Sequence, residues 1–348
     1  MNNSGIDSGF RFDEDELEVL ELARACTERH FPVDRFDRPG APLVNWQGLV
    51  DSGLLAPWDD KPSWDSAMLF SGIAHEFGAG LGAQVYVANS MVASLVHSDP
   101  SLRDHTAMAA EINRRPLFVA YTGSDRMLRS FLGDARPSMF SGATSGAVGL
   151  LVEDAEVTVV VPSDYDDDWS SANEWPATAV QIADIPVGRT VARCPHELHA
   201  VVTEEMSAIA LLGRASGLAG AGGSLLRRTV GHVQERELFG KVLGSFQAVK
   251  HRIAAADIRL TAARAAIGAA CRTRSARSAR IAWRLAASAA VDAVSTATQL
   301  HGGLGVSWEM PIHWYAKSIH QEAWSPLSAT DAVVRLADLA EAVKEAQR

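Results

Sequence analysis

Cysteine is scarce in this 348-residue chain. Cys26, Cys194 and Cys271 are odd in number and lack metal-ligand spacing, which argues against a disulfide framework and a zinc site and fits a reducing cytoplasm. Basic residues are in deficit, 32 against 42 acidic, for a formal net charge of −10, so a broad cationic surface for nucleic acid or anionic lipid is not expected. No apolar run is read as approaching the roughly 20 residues that cross a bilayer. Met1 to Glu16 is polar and acidic rather than a basic segment leading into an apolar one, so neither membrane span nor export signal is expected. Also missing are G-x-G-x-x-G after a strand, G-x-x-x-x-G-K-[ST], H-E-x-x-H and G-x-S-x-G, which leaves Rossmann and P-loop nucleotide binding, zincin chemistry and the nucleophile elbow without a basis. What the chain has in quantity is apolar residues, 47% against 21% charged, enough for more than one core.

Three zones follow one another. Residues 1–115 read as a helical domain, with Asp13 to Glu16 as acidic first-turn residues ahead of Leu17, Leu20 and Ala23. A second helix fits Leu43 to Leu55, stopped by Gly53 and Pro57, and a third spans Ser66 to His97, interrupted at Gly78, Gly80 and Gly82. Residues 116–203 carry short β-type runs at Leu117–Thr122, Ala147–Val152, Val157–Val161, Thr178–Ile182 and His199–Thr203, separated by turn clusters, and read as a small antiparallel β domain. The Asp166–Asp168 run reads as a solvated turn, with cation binding the lesser alternative. Residues 204–348 are helical again, without proline from Pro195 to Pro311. Phe246, Val249, Ile253, Ala256, Leu260, Ala263, Ile267 and Ala270 form one stripe at helical spacing, and a four-helix bundle is the natural closure. Arg274, Arg277, Arg280 and Arg284 read as a solvated or acid-paired face, with contact to an anionic ligand as the alternative.

Two local patterns in the last zone carry chemistry. In Arg236-Glu237-Leu238-Phe239-Gly240-Lys241, followed by Leu243, Phe246 and Gln247, an arginine at a helix end precedes a tight turn and a new helix. A planar guanidinium there suits a pyrophosphate, and Phe239 with Gln247 suits a neighbouring heteroaromatic group; an ordinary helix hairpin with a glycine stop is equally open. In Gln299-Leu300-His301-Gly302-Gly303-Leu304-Gly305, glycines allow close backbone approach and expose N–H groups to phosphate or ribose oxygens. His301 beside them is read as a packed structural residue rather than a catalytic one.

Taken together, and in this order of zones, these patterns resemble the acyl-CoA dehydrogenase family over nearly the whole chain. Trp46 to Leu54, His75-Glu76-Phe77-Gly78-Ala79-Gly80, Gly123-Ser124-Asp125, Trp308 to Pro311 and Tyr315-Ala316-Lys317 add to the match. The resemblance implies an N-terminal helical domain, a middle β domain and a C-terminal four-helix bundle. It also implies FAD as cofactor, an acyl-CoA substrate and an electron-transfer flavoprotein as acceptor. By resemblance, Arg236, Phe239, Leu243 and Gln247 with Gln299, Gly302 and Gly303 hold the ADP end of a flavin whose ring sits mainly in the neighbouring subunit.

The departures from the family are as informative as the matches. The family's glutamate base is expected either near Pro326, within Trp324-Ser325-Pro326-Leu327-Ser328, or near Ala210, with Gly217 further along, and neither neighbourhood offers a carboxylate. Glu322 and Glu205 are the nearest substitutes and read as solvated helix-face residues, so no catalytic residue is assigned. The flavin loop is reduced to Tyr121-Thr122-Gly123-Ser124-Asp125, and the strand covering the flavin is replaced by Gly146-Ala147-Val148. Half a flavin site implies a heteromer resembling actinobacterial α2β2 acyl-CoA dehydrogenases of steroid side chains, in which this short subunit clamps the cofactor and a homologous partner supplies the base. A self-sufficient homo-oligomer with a displaced carboxylate and a non-catalytic scaffold of the same fold are the alternatives.

Overall fold

The computed structural model describes residues 10–31, 33, 46–54, 63–98, 117–121, 148–152, 156–161, 189–195, 202–307 and 309–323. Helix α1, Glu14–His30, begins at a capping box. The Asp13 carboxylate accepts from the Glu16 backbone N–H at 2.8 Å and the Glu16 carboxylate accepts from that of Asp13 at 3.0 Å, satisfying two N–H groups that the helix leaves unpaired. Helix α2, Trp46–Asp51, ends before Gly53, whose φ of +75° is the left-handed conformation glycine takes at low cost. Helices α3, Ala67–Ala79, and α4, Ala83–Ser98, divide at the glycine-rich stretch as expected.

Among the described residues the middle zone forms one four-stranded sheet in the order β1 (Leu117–Tyr121), β2 (Val148–Val152), β3 (Glu156–Val161), β4 (Arg189–Pro195). Two of its features differ from the sequence expectation. The β1–β2 pair is parallel, Leu117 opposite Val148 and Tyr121 opposite Val152, while β2–β3 and β3–β4 are antiparallel. Arg189–Pro195 is a strand that the sequence reading did not place, and of the expected run His199–Thr203 only the last two residues are described. Val202 and Thr203 are not in a strand, and the Thr203 hydroxyl caps the next helix by accepting from the Met206 N–H at 3.2 Å. Thr178–Ile182, Asp166–Asp168 and Gly123–Asp125 lie outside the described residues.

The C-terminal zone supplies α5 (Glu204–Glu235), a two-residue hairpin β5 (Glu237–Leu238) and β6 (Lys241–Val242), α6 (Gln247–Thr273), α7 (Ala276–His301) and α8 (Ile312–Ala323). Helix α5 is central, packing against α3, α4, α6, α7 and α8. Contrary to the sequence reading, it is long and apolar enough to cross a bilayer, but its whole apolar stretch is buried by other helices. The α6 stripe turns inward as its spacing requires, with Val249, Ala256, Leu260, Ala263, Ile267 and Ala270 buried.

Glycine allows α3 and α5 to touch backbone to backbone. A Cβ on Gly220 would lie 2.0 Å from the His75 carbonyl oxygen, and one on Gly78 would lie 2.2 Å from that of Gly217. Helix α8 is tied to the same seam by Tyr315, wholly buried, whose hydroxyl donates to the Ala79 carbonyl at 2.8 Å and lies 3.0 Å from the Ser224 hydroxyl. Of the arginines read as a face, Arg274 pairs with Asp65 and Arg280 lies 3.8 Å from Glu204, which is the acid-paired reading.

Candidate nucleotide-clamp site

Arg236 ends α5 as its C-cap, its backbone N–H donating to the His232 carbonyl at 2.9 Å and its own carbonyl accepting from the Leu243 N–H at 2.7 Å. Between those bonds the β5–β6 hairpin turns on Phe239 and Gly240, at φ +54° and +72°. Positive φ at both central residues is the two-residue turn whose twist matches the flanking strands, and it favours glycine. A phenylalanine there costs about 1 kcal/mol of backbone strain, yet its ring is 89% exposed and wins no burial within the chain. An aromatic ring held outward in this way is accessible to a group outside the chain.

The second segment closes α7. Gly302 has φ +59°, and Gly302 and Gly303 are exposed, with nothing within 4 Å of a Cβ on either. Gly305, by contrast, packs against Thr298, where a Cβ would meet the carbonyl oxygen at 2.5 Å. The motif therefore has one glycine for packing and two facing open space. Arg236, Gln247 and Gln299 are exposed and Leu243 is half-buried, so the proposed contacts lie at the surface. An exposed guanidinium, an outward aromatic ring and two exposed glycines fit the diphosphate and adenosine of a dinucleotide in chemistry.

The structure also joins the two segments through a residue that the sequence reading did not single out. His232, one helical turn before Arg236, stacks on His301 with ring centroids 4.1 Å apart and planes 20° apart. Its i, i+4 spacing from Arg236 was the available signal. Burial lowers the pKa of both rings. His232 is lowered further by His301 and Arg236, and the His301 shift is partly offset by its bond to the Ala297 carbonyl.

The positions expected for a base are closed or lie beyond the described residues. Ala210 is wholly buried, and a Cβ on Gly217 would lie 2.4 Å from that of Ala83. Pro326 lies outside the described residues. Glu205 accepts from the Trp64 backbone N–H at 2.8 Å, so it ties the start of α5 to the approach to α3. Glu322 is not the solvated residue expected. Its side chain is 14% exposed and lies 3.9 Å from the Arg214 guanidinium, itself 7% exposed, because α8 lies against α5 there. The two line a crevice of about 20 Å³ with Gly78, Ala83, Gly217 and Ser318, room for one water.

Comparison with known proteins decides the family. The acyl-CoA dehydrogenase C-terminal domain matches residues 206–323. Acyl-CoA dehydrogenase IpdE2 of Mycobacterium tuberculosis is 30% identical over 239 residues, covering 64% of this chain and 73% of that relative. The chain belongs to the acyl-CoA dehydrogenase family. Acyl-CoA dehydrogenase FadE34 of the same organism is 32% identical over 251 residues, of which this chain spans only 33% of the relative's length. Among solved structures, a steroid ACAD variant of Tcur3481-Tcur3483 has a TM-score of 0.64 at 20% identity, covering 95% of this chain and 99% of that one. The ChsE4-ChsE5 complex of M. tuberculosis has a TM-score of 0.63 at 20% identity with the same coverage. At that identity the two structures establish the acyl-CoA dehydrogenase fold, and the sequence relatives place the chain among oxidoreductases.

Proposed function

We propose that this chain is the cofactor-clamping subunit of a heteromeric, FAD-dependent acyl-CoA dehydrogenase that introduces an α,β double bond into an acyl-CoA thioester. The observation that carries the reading is the contrast between the ends of α5: an open Arg236–Phe239 turn joined to the Gly302–Gly303 turn, and closed packing at Ala210 and Gly217. Arg236 pairs with the diphosphate, Phe239 and Gln247 border the adenosine, and the Gly302–Gly303 backbone with Gln299 meets phosphate and ribose oxygens. FAD, when bound, accepts the β-hydride as a glutamate takes the α-proton. In this reading that glutamate, and the pocket around the flavin ring, belong to a homologous partner in an α2β2 assembly. The steroid ACAD and the two-protein ChsE4-ChsE5 complex among the structural neighbours support a heteromer and a steroid-derived acyl group. An electron-transfer flavoprotein is the acceptor class that goes with the reading.

The test is expression of the full chain alone and together with a longer acyl-CoA dehydrogenase relative. Flavin retention and acyl-CoA oxidation are expected only of the complex, and R236A in this chain is expected to release the flavin. Stoichiometric flavin and turnover by this chain alone would overturn the split site. Glu322, held in a crevice beside Arg214, favours one second reading, a self-sufficient enzyme with a displaced base. In that case E322Q abolishes turnover by the chain alone with flavin retained.

A further inference from the structure

The two clamp segments come from different helices, and a nucleotide that both must touch requires a fixed distance between them. His232 lies on the last turn of α5, its carbonyl accepting from the Arg236 N–H at 2.9 Å. His301 is the last residue of α7, directly before Gly302. Their rings, nearly parallel at 4.1 Å, connect the helix end that carries the guanidinium to the one that carries the glycine turn.

His301 is fixed in orientation as well as in place. Its Nδ1 lies 2.8 Å from the Ala297 carbonyl oxygen, which can only accept, so Nδ1 carries the proton and Nε2 is a bare acceptor. The ring is 5% exposed, and its Nε2 is buried with no hydrogen-bond partner among the described residues. Stacked on a second imidazole and buried, the ring contributes there through its shape and contact. Burial lowers the pKa of both rings, which favours the uncharged forms and lessens like-charge repulsion in the stack.

We propose that the His232–His301 stack positions the two halves of the nucleotide clamp and so sets its affinity for the ADP portion of FAD. Both histidines are positioning residues, acting through Arg236 and the Gly302–Gly303 turn. The proposal rests on the clamp reading above, and its test separates the two. The full chain is taken in whichever assembly retains flavin, stripped of cofactor, and titrated with FAD by flavin fluorescence well below the melting temperature of each variant. H232A and H301A should each weaken FAD binding about 2- to 12-fold, the range for one aromatic pair. The double alanine variant should lose no more than the greater single loss, since both remove the same contact. The pair H232F/H301F, which restores two stacked rings, should recover affinity to within about twofold of wild type. Alanine variants with lowered melting temperature but unchanged FAD affinity, alongside an R236A variant that binds FAD weakly, would reduce the stack to core packing and overturn the proposal while leaving the clamp standing. Wild-type FAD affinity in R236A would remove the clamp and the proposal together.

Discussion

Replacing Gly220 by alanine reverses the usual sign of a glycine substitution in a helix. In the interior of a long helix the change ordinarily stabilises by about 1 kcal/mol, because alanine restricts the unfolded chain and shields the helix backbone. Gly220 is inside α5, so propensity alone predicts that gain. The added Cβ, however, would sit 2.0 Å from the His75 carbonyl oxygen, more than 1 Å inside ordinary contact, and the obstructing atom is backbone that no rotamer change can move. Helices α3 and α5 would have to separate by about an ångström, which forfeits a quarter to a half of each dispersion contact across the seam. Phe70, Ile73, Phe77, Leu211 and Leu218, all buried on these two helices, are among the side chains that would lose packing. Overpacking of this kind costs about 1–3 kcal/mol, towards the upper end where backbone must move, so after the propensity gain of about 1 kcal/mol the net expectation for G220A is a loss of about 1–2 kcal/mol. Gly231, in the same helix with nothing within 4 Å of a Cβ, is the matched control, and G231A should gain about 0.5–1 kcal/mol. Urea unfolding followed by far-UV circular dichroism reads both, as midpoint shifts of opposite direction at unchanged slope. A G220A variant as stable as wild type, or a G231A variant as damaged as G220A, would refute the claim that backbone contact sets this interface.

Acid should weaken the same seam. His75 is wholly enclosed, and burial, with Arg264 and Arg227 next in size, pushes its pKa down to about 3 from an ordinary 6.5. Between those values the unfolded chain binds a proton that the folded chain refuses, so stability is constant above the ordinary pKa and falls as pH drops below it. From about pH 7.5 to about pH 5 the loss attributable to His75 is on the order of 2 kcal/mol. An H75F variant should show a shallower decline over that range in urea midpoints, and an identical decline would contradict the assignment. Installing the missing base at the helix position, A210E, places a carboxylate at a site with no exposure. It should cost several kcal/mol and give the isolated chain no acyl-CoA oxidation; turnover by that variant would show the position open to substrate.

Local signals were the legible part. The acidic run Asp13–Glu16 marks the start of α1 because first-turn carboxylates are a signal within a few residues, while the capping box they form is seen only in the structure. The Phe239-Gly240 turn and the inward stripe of α6 were readable because turn chemistry and helical period are written within a few residues. What escaped depends on which elements meet. Alternation marks a strand but says nothing of its neighbour, so the sequence reads as an antiparallel domain where the β1–β2 pair is parallel. Arg189–Pro195 carries two arginines and a proline and hides its strand behind poor alternation. Glu322 reads as solvated because α8 alone does not reveal that Arg214 of α5 faces it, and the His232–His301 stack exists only because α7 brings the two rings together.

The glycines of α5 bear on the proposed split site, in which this chain would keep a nucleotide clamp and leave the base to a partner. Gly213, Gly217 and Gly220 lie along the helix where Phe70, Ala83 and the His75 backbone press against it, and Ala210 lies one turn before them, wholly buried. A carboxylate at any of these positions would have to enter space already taken by α3 and α4, and would be stranded there without water. The same close packing leaves the far end of the helix free of such demands: Arg236 and the hairpin after it are exposed. On the proposed reading, absence of the base and tight closure of the first half of α5 would be one structural event. A partner that supplied the glutamate would remove the requirement for an open helix face here, while the clamp, needed on this chain to reach the partner's cofactor, would stay under selection. The mutational signature is asymmetric. Bulk added at Gly213, Gly217 or Gly220 should lower the stability of this chain first and its flavin binding only as a consequence, whereas removal of Arg236 should lower flavin binding with stability unchanged.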